Sequence, residues 1–312
     1  MKEKTRKYIY IYISVAMLLC GALALFAYKA LNAYRDVREQ WDIIQETVLE
    51  NNIELAKSSE VVTGYYEFDY GWLDENCLIA HALGGIDGIN YTNSLEALEA
   101  AYNNGYRVFE GDMQLLDGRV VLMHDEKHLC EASGISRDAL DYDAFIEAKL
   151  YGEYSTLDAE DIVHFLSEHP DAYFMTDSKY ALNPYSANVL SGFVIAALEY
   201  DESVLDRVIV QIYNQNMLET VMDVYPFKSV VYTLYQSYDT DDEALSFCLR
   251  SGVGAVTAHS SRMTEEFSAK LGAAGVLALV HTLNDEQEIE SFFDMGVSAV
   301  YSDFALPENT KR

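Results

Sequence analysis

From Leu78 onward, short apolar runs alternate with stretches whose apolar positions recur every three to four residues. Short runs bounded by polar residues are strand signals, and the longer period is a helix signal. Eight runs stand out: Leu78–His81, Arg107–Asp112, Ala172–Asp177, Arg207–Ile212, Ser229–Leu234, Gly254–Ala258, Val276–Val280 and Ala299–Asp303. Helical patterns lie between most of them, including Ser94–Asn103, Ala159–Glu168, Ala187–Glu199 and Asp285–Asp294. The alternation predicts an α/β fold, and eight units in this length predict a closed (β/α)8 TIM barrel. An open doubly wound sheet is the second option, weakened because no Gly-x-Gly-x-x-Gly follows the first run.

Local signals refine this pattern. Asn93 with Glu96 three residues on has the spacing of a capping box, and Gly105 is placed to stop the same helix. Between Leu115 and Leu122, an Asp117-Gly118 pair separates two apolar runs and predicts a β-hairpin, spanning about residues 113–124. Residues 126–158 then form a long insertion of weak pattern, of the kind that covers the active face of a barrel.

Ahead of the barrel, Tyr8–Tyr28 carries no charge and would span roughly 30 Å as a helix, enough for a bilayer core. Lys2, Lys4, Arg6 and Lys7 precede it, which orients the following chain to the outer side of the membrane. A cleaved signal peptide is the competing reading; the stretch is long for one and lacks a small-residue cleavage site. Val37, Trp41, Ile44, Val48 and Leu55 repeat at helical steps and predict a stalk. The expected organisation is therefore 1–28 basic tip and transmembrane helix, 29–70 stalk and linker, and 71–312 barrel. The expected location is the cell membrane, as a single-pass protein with its domain on the extracytoplasmic side. The sequence leaves the oligomeric state open.

Composition narrows the partners. Among 312 residues, 51 Asp and Glu face 21 Lys and Arg, a net charge of −30. Nucleic acid is excluded as a partner, because phosphate backbones need a basic face. Half of the residues are hydrophobic, enough for a sizeable core. Four cysteines are too few for a disulfide scaffold, although a bridge between Cys77 and Cys130 is conceivable.

In a parallel barrel the C-terminal ends of the strands share one rim, where sites are built. His81 ends the first predicted strand, Glu110 and Asp112 the second, and Asp177 and Lys179 the third; His124 ends the hairpin. A spacing of two puts Glu110 and Asp112 on one side of their strand. Three carboxylates on one rim would repel unless a cation sits among them, and hard oxygen ligands favour Ca²⁺ or Mg²⁺. His81 and His124 supply a candidate acid and base, and Lys179 a positive charge for an anionic substrate. Together these suit cleavage of a phosphodiester.

The blocks Leu78-Ile79-Ala80-His81, Thr92 to Ala97, Gly105 to Asp112 and Asp117 to Asp125 resemble the glycerophosphodiester phosphodiesterase family in order and spacing. Asp177-Ser178-Lys179, Val280 to Asn284 and Gly296 to Asp303 resemble its later strand ends. The resemblance implies a distorted barrel that hydrolyses glycerophosphodiesters, with His81 and His124 as acid and base. It implies Glu110, Asp112 and Asp177 as ligands of a divalent cation, and Lys179 as a phosphate contact. The departures are specific. Ala82 and Leu83 replace the Arg and Gly that usually follow the first His, so a bidentate phosphate clamp is missing. The N–H groups of Gly84 and Gly85 are candidates to replace it. Tyr91-Thr92-Asn93-Ser94 lacks a rim Glu, Asp177 stands where Glu is common, and His281 replaces a Trp in the expected leaving-group pocket. The resemblance thus implies a metal-dependent diesterase with a shifted substrate: a glycerophosphodiester, a lipid headgroup or an envelope polymer. A silent barrel that binds a phosphorylated ligand is the alternative, and a lipid-cutting phospholipase of the same barrel group a third reading.

Overall fold

The computed structural model describes residues 65–179 and 183–310. Eight parallel strands close into a barrel: β1 (Leu78–Ala80), β2 (Val108–Leu116), β7 (Tyr173–Asp177), β8 (Val208–Ile212), β9 (Ser229–Thr233), β10 (Ala255–His259), β11 (Leu277–His281) and β12 (Ala299–Ser302). Each pairs with the next in this order, and β1 also pairs with β12, which seals the cylinder. All eight predicted runs are barrel strands, with bounds that agree within about a residue except for β2. That strand continues past the rim and pairs antiparallel with β3 (Arg119–Leu122). Asp117 and Gly118 at the turn both have positive φ, 50° and 80°, as a two-residue hairpin turn of right-handed twist requires. The helices between strands are α1 (Leu95–Asn103), α4 (Ala159–Glu168), α5 (Asn183–Tyr200), α6 (Met217–Val224), α7 (Asp241–Ser251), α8 (Glu265–Ala273) and α9 (Glu286–Asp294).

The insertion is more ordered than its sequence pattern suggests. It holds α2 (Glu126–Ser133), α3 (Tyr142–Ile146), a two-residue pair β4 (Lys149–Leu150) and β5 (Tyr154–Ser155), and β6 (Leu157–Asp158), which adds to β3. Its elements are too short to show a period, yet Leu129, Phe145, Leu150 and Tyr154 bury a small core against Val121 and Met123 of the hairpin.

One correction arises here. The cap of α1 is Ser94, whose side chain accepts from Ala97 N; Asn93 and Glu96 do not form the capping box. Glu96 instead accepts from the Ser155 backbone and hydroxyl, fixing the insertion to α1. No disulfide joins Cys77 and Cys130. Among the described residues no helix is long and apolar enough to cross a membrane. The predicted span Tyr8–Tyr28 and the stalk residues Val37 to Leu55 lie outside the described residues.

Alternation along the strands arranges the interior. Ile79, Val108, Met175, Ile209, Val231, Ala255, Leu279 and Ala299 share one buried cluster, floored by Trp72 and Leu73. Two residues further along each strand, on the same face, the character turns polar: His81, Glu110, Asp177, Gln211, Thr233, Thr257, His281 and Tyr301. The barrel is thus apolar at its N-terminal end and chemically loaded at the other.

Gly111 sits between two inward carboxylates and faces outward. A Cβ there would lie 2.7 Å from Cε2 of Phe174 and 3.1 Å from Cδ1 of Leu122. Gly111→Ala is expected to cost about 1–3 kcal/mol in denaturant unfolding, through forced displacement of β2 or Phe174. A loss within about 0.5 kcal/mol of zero, the range of inconsequential surface changes, would show that Phe174 yields freely.

Candidate active site

The rim encloses a cavity of about 330 Å³, lined among others by His81, Tyr91, Glu110, His124, Asp177 and Lys179. Register puts Asp112 of β2 directly beside Asp177 of β7. Ligand oxygens of Glu110, Asp112 and Asp177 all lie within 4.8 Å of one another. Glu110 and Asp112 are buried.

Such crowding is partly relieved by neighbours. Lys179 Nζ bridges Asp112 and Asp177, at 3.1 Å from the latter. Asn93 clamps Asp112 twice: its Nδ2 donates to Oδ2 at 2.7 Å, and its Oδ1 accepts from the Asp112 amide at 3.0 Å. Glu110 accepts from the Ala82 amide, and the Tyr213 hydroxyl donates to Asp177. Relief is incomplete. Burial and the Asp112 charge push Glu110 up to about 8, and burial raises Asp177 despite Lys179. Asp112 stays low, because Lys179 and both imidazoles outweigh its burial. Lys179 is burdened by its own burial, but Asp112, Asp177 and Glu110 hold it charged.

These residues fit a divalent cation. Asp112 Oδ1 is buried, and among the described residues its polar partner is the Lys179 ammonium. Three hard oxygen donors converge where one ammonium is shared, the donor set expected for Ca²⁺ or Mg²⁺ rather than zinc.

The two predicted histidines face the same cavity, and each is tied to a carboxylate. His81 Nδ1 is 2.8 Å from Asp303 Oδ1, and His124 Nδ1 is 2.7 Å from Asp125 Oδ2. In both, this leaves Nε2 for chemistry. The pairs differ in burial: the Asp303 side chain is 3% exposed and that of Asp125 48%. Burial opposes charge on His81, but Asp303, Glu110 and Asp112 outweigh it and lift it to about 9. The Tyr91 ring stands between the imidazoles, edge-on to both, with centroids 5.1 Å from His81 and 4.6 Å from His124.

Gly84 and Gly85 do not serve as predicted. Gly84 N donates to His81 O, and Gly85 N to Asp303 O, so neither amide is available to a phosphate. The glycines answer steric needs: Gly84 has φ of 99°, and a Cβ on Gly85 would collide with the Phe304 ring. His281 lines the cavity as expected, with a neutral imidazole. Burial first, and then the neighbouring His81 and Lys179, lower it to about 4.

Four residues of the site escape sequence reasoning: Tyr91, Asn93, Tyr213 and Asp303. Asp303 and Tyr213 follow the ends of β12 and β8, so the strand-end rule that found the carboxylates also points to them. Asn93 carries a signal that reads equally as a helix cap. Ala82, Leu83, Tyr91, Asn93 and Lys179 all have φ between 47° and 67°, unusual for side-chain-bearing residues and concentrated around this cavity.

Comparison with known proteins agrees with this geometry. The model of the glycerophosphoryl diester phosphodiesterase family matches residues 85–306. A phosphodiesterase of Oleispira antarctica, solved with the product sn-glycerol-3-phosphate, shares the fold at a TM-score of 0.61 and 18% identity, over 74% of this chain and 94% of that one. A glycerophosphodiester phosphodiesterase of Parabacteroides distasonis gives 0.59 and 19%, over 75% and 94%. One of Thermotoga maritima gives 0.53 and 19%, over 73% and 94%. No curated protein matches the chain. With its family model matched over most of the barrel, the chain belongs to the glycerophosphoryl diester phosphodiesterase family, a group of phosphoric diester hydrolases.

Proposed function

We propose that the protein is a divalent-metal-dependent hydrolase of a glycerophosphodiester or a related envelope- or lipid-derived diester. The observation that carries this reading is the single cavity in which three converging carboxylates face two imidazoles, each oriented through Nδ1 by an Asp. Glu110, Asp112 and Asp177 would hold the ion, which when bound would offset charge on the phosphoryl oxygens. Lys179, held charged beside them, adds a second positive group for the phosphate. His81, kept protonated by buried Asp303, gives its proton from Nε2 to the departing alcohol oxygen. His124, partly exposed and oriented by Asp125, takes the proton of the attacking hydroxyl. That hydroxyl belongs to water or to the substrate's own neighbouring carbon. The basic residues ahead of Tyr8–Tyr28 support a barrel held outside the membrane.

The test is hydrolysis of glycerophosphocholine and of bis(p-nitrophenyl) phosphate by the full chain, with Ca²⁺ or Mg²⁺ and with EDTA. Turnover with an ion and none in EDTA is expected. Calorimetric binding of the ion without turnover of either diester would favour the silent barrel that only binds a phosphorylated ligand.

A further inference from the structure

Continuing around the rim from the carboxylates, the cavity has a second wall of different chemistry. It is built by β8 to β11 and their ends, and its inward groups include Gln211, Thr233, Tyr235, His259 and His281. Among the described residues, no carboxylate, Lys or Arg lines this side. His259 and His281 are direct register partners on β10 and β11, with ring centroids 6.0 Å apart. Tyr235 stands edge-on to His281 at 6.1 Å, and its own side is open: the residue is 68% exposed.

We propose that this wall selects, as the leaving group, a neutral polyhydroxylated alcohol, a cyclitol or a sugar, over a charged headgroup. The inference rests on the diesterase reading for its reaction, but on the wall alone for its selectivity. Thr233 and the uncharged His281 imidazole each donate and accept, the pattern a row of hydroxyls requires, and Gln211 keeps a second N–H and a second lone pair beyond its bonds to Thr176 and Tyr301. The His281 Nε2 is buried and has no partner among the described residues. A substrate hydroxyl would satisfy this imidazole, which burial keeps uncharged. Tyr235 presents an exposed ring on which the apolar face of a cyclic polyol can lie.

Charged headgroups fit less well. A quaternary ammonium would gain about 0.5–1 kcal/mol against an exposed aromatic ring. It would leave the imidazole unpaired, and an unsatisfied buried polar group costs about 1–3 kcal/mol. An anionic headgroup would find no Lys or Arg on this wall among the described residues. A site built to pair hydroxyls discriminates strongly against ligands that lack them.

The experiment compares glycerophosphoinositol with glycerophosphocholine. Calorimetric affinities are measured with the full-length His81→Ala chain, and kcat/KM ratios with the wild-type chain, both in Ca²⁺. The inositol diester is expected to be preferred about tenfold or more in both measurements. Tyr235→Ala and His281→Phe, each introduced separately, are expected to bring that ratio below about threefold, the loss of one or two such contacts. Equal or tighter binding of the choline diester, or a ratio that neither variant moves, overturns the proposal. If no diester is turned over, the diesterase reading fails while the affinities still decide this one. Should His281→Phe melt early, exposed Tyr235 carries the test.

Discussion

His81→Ala is expected to lower kcat about a thousandfold on a diester whose leaving group is an alkyl alcohol, in the range of a lost general acid. The loss should shrink to about tenfold or less on bis(p-nitrophenyl) phosphate, because nitrophenolate departs without a proton and the Brønsted demand for an acid disappears. His124→Ala should reduce both substrates alike, since the attacking hydroxyl must lose its proton in either case. Asp303→Asn tests the tie to His81, and is expected to cost about a hundredfold or more on the alkyl diester by loosening the imidazole's tautomer and orientation. Steady-state rates for the variants on the two substrates decide the assignment. Equal losses for His81→Ala on both diesters would remove the acid role from this residue.

Glu110→Gln is expected to abolish metal-dependent turnover, by about a thousandfold or more, as a cation that supplies several kcal/mol of charge stabilisation loses a ligand. The same change should stabilise the protein in EDTA at alkaline pH. The sign follows from linkage: Glu110 has a folded value near 8 against an ordinary 4.5, so the folded protein holds a proton that the unfolded chain has released. Stability from this group is therefore full below about 4.5 and declines as pH rises through 8. Glutamine carries no such charge and escapes the decline. Melting curves in EDTA should coincide near pH 4.5 and separate by pH 8.5, with the variant higher. Added Ca²⁺ should raise the wild type and leave the variant behind. A variant that melts lower than wild type at pH 8.5 in EDTA would contradict the crowding of the three carboxylates.

Much of the architecture was legible because parallel strands buried on both faces must be written as apolar runs. The Asp117-Gly118 turn was equally legible, since few other pairs satisfy two positive φ values in a row. Glu110, Asp112, Asp177 and His81 were readable from one rule, that polar residues ending barrel strands share a rim, and His124 from the end of the hairpin beside them. The rest depended on contacts with no local trace. Asn93 lies one residue ahead of the true cap, and Asn-x-x-Glu spacing is the same whether the side chain caps a helix or clamps Asp112. Gly84 and Gly85 looked like an anion nest, yet the chain needed them for φ and for room beside Phe304. The insertion hid because two-residue strands and a five-residue helix are shorter than any period that could reveal them.

The His81–Asp303 pair joins the first barrel strand to the segment just after the last, across the β1–β12 closure. Asn284, following β11, holds Asp303 through its side-chain amide, so the imidazole is oriented only once the final two βα units have docked. A nascent chain still short of residue 303 would have its metal-binding carboxylates and one imidazole already made, but no oriented acid. Hydrolytic competence would then appear late in synthesis, and during refolding regained turnover would report the sealing of the cylinder rather than the collapse of its core.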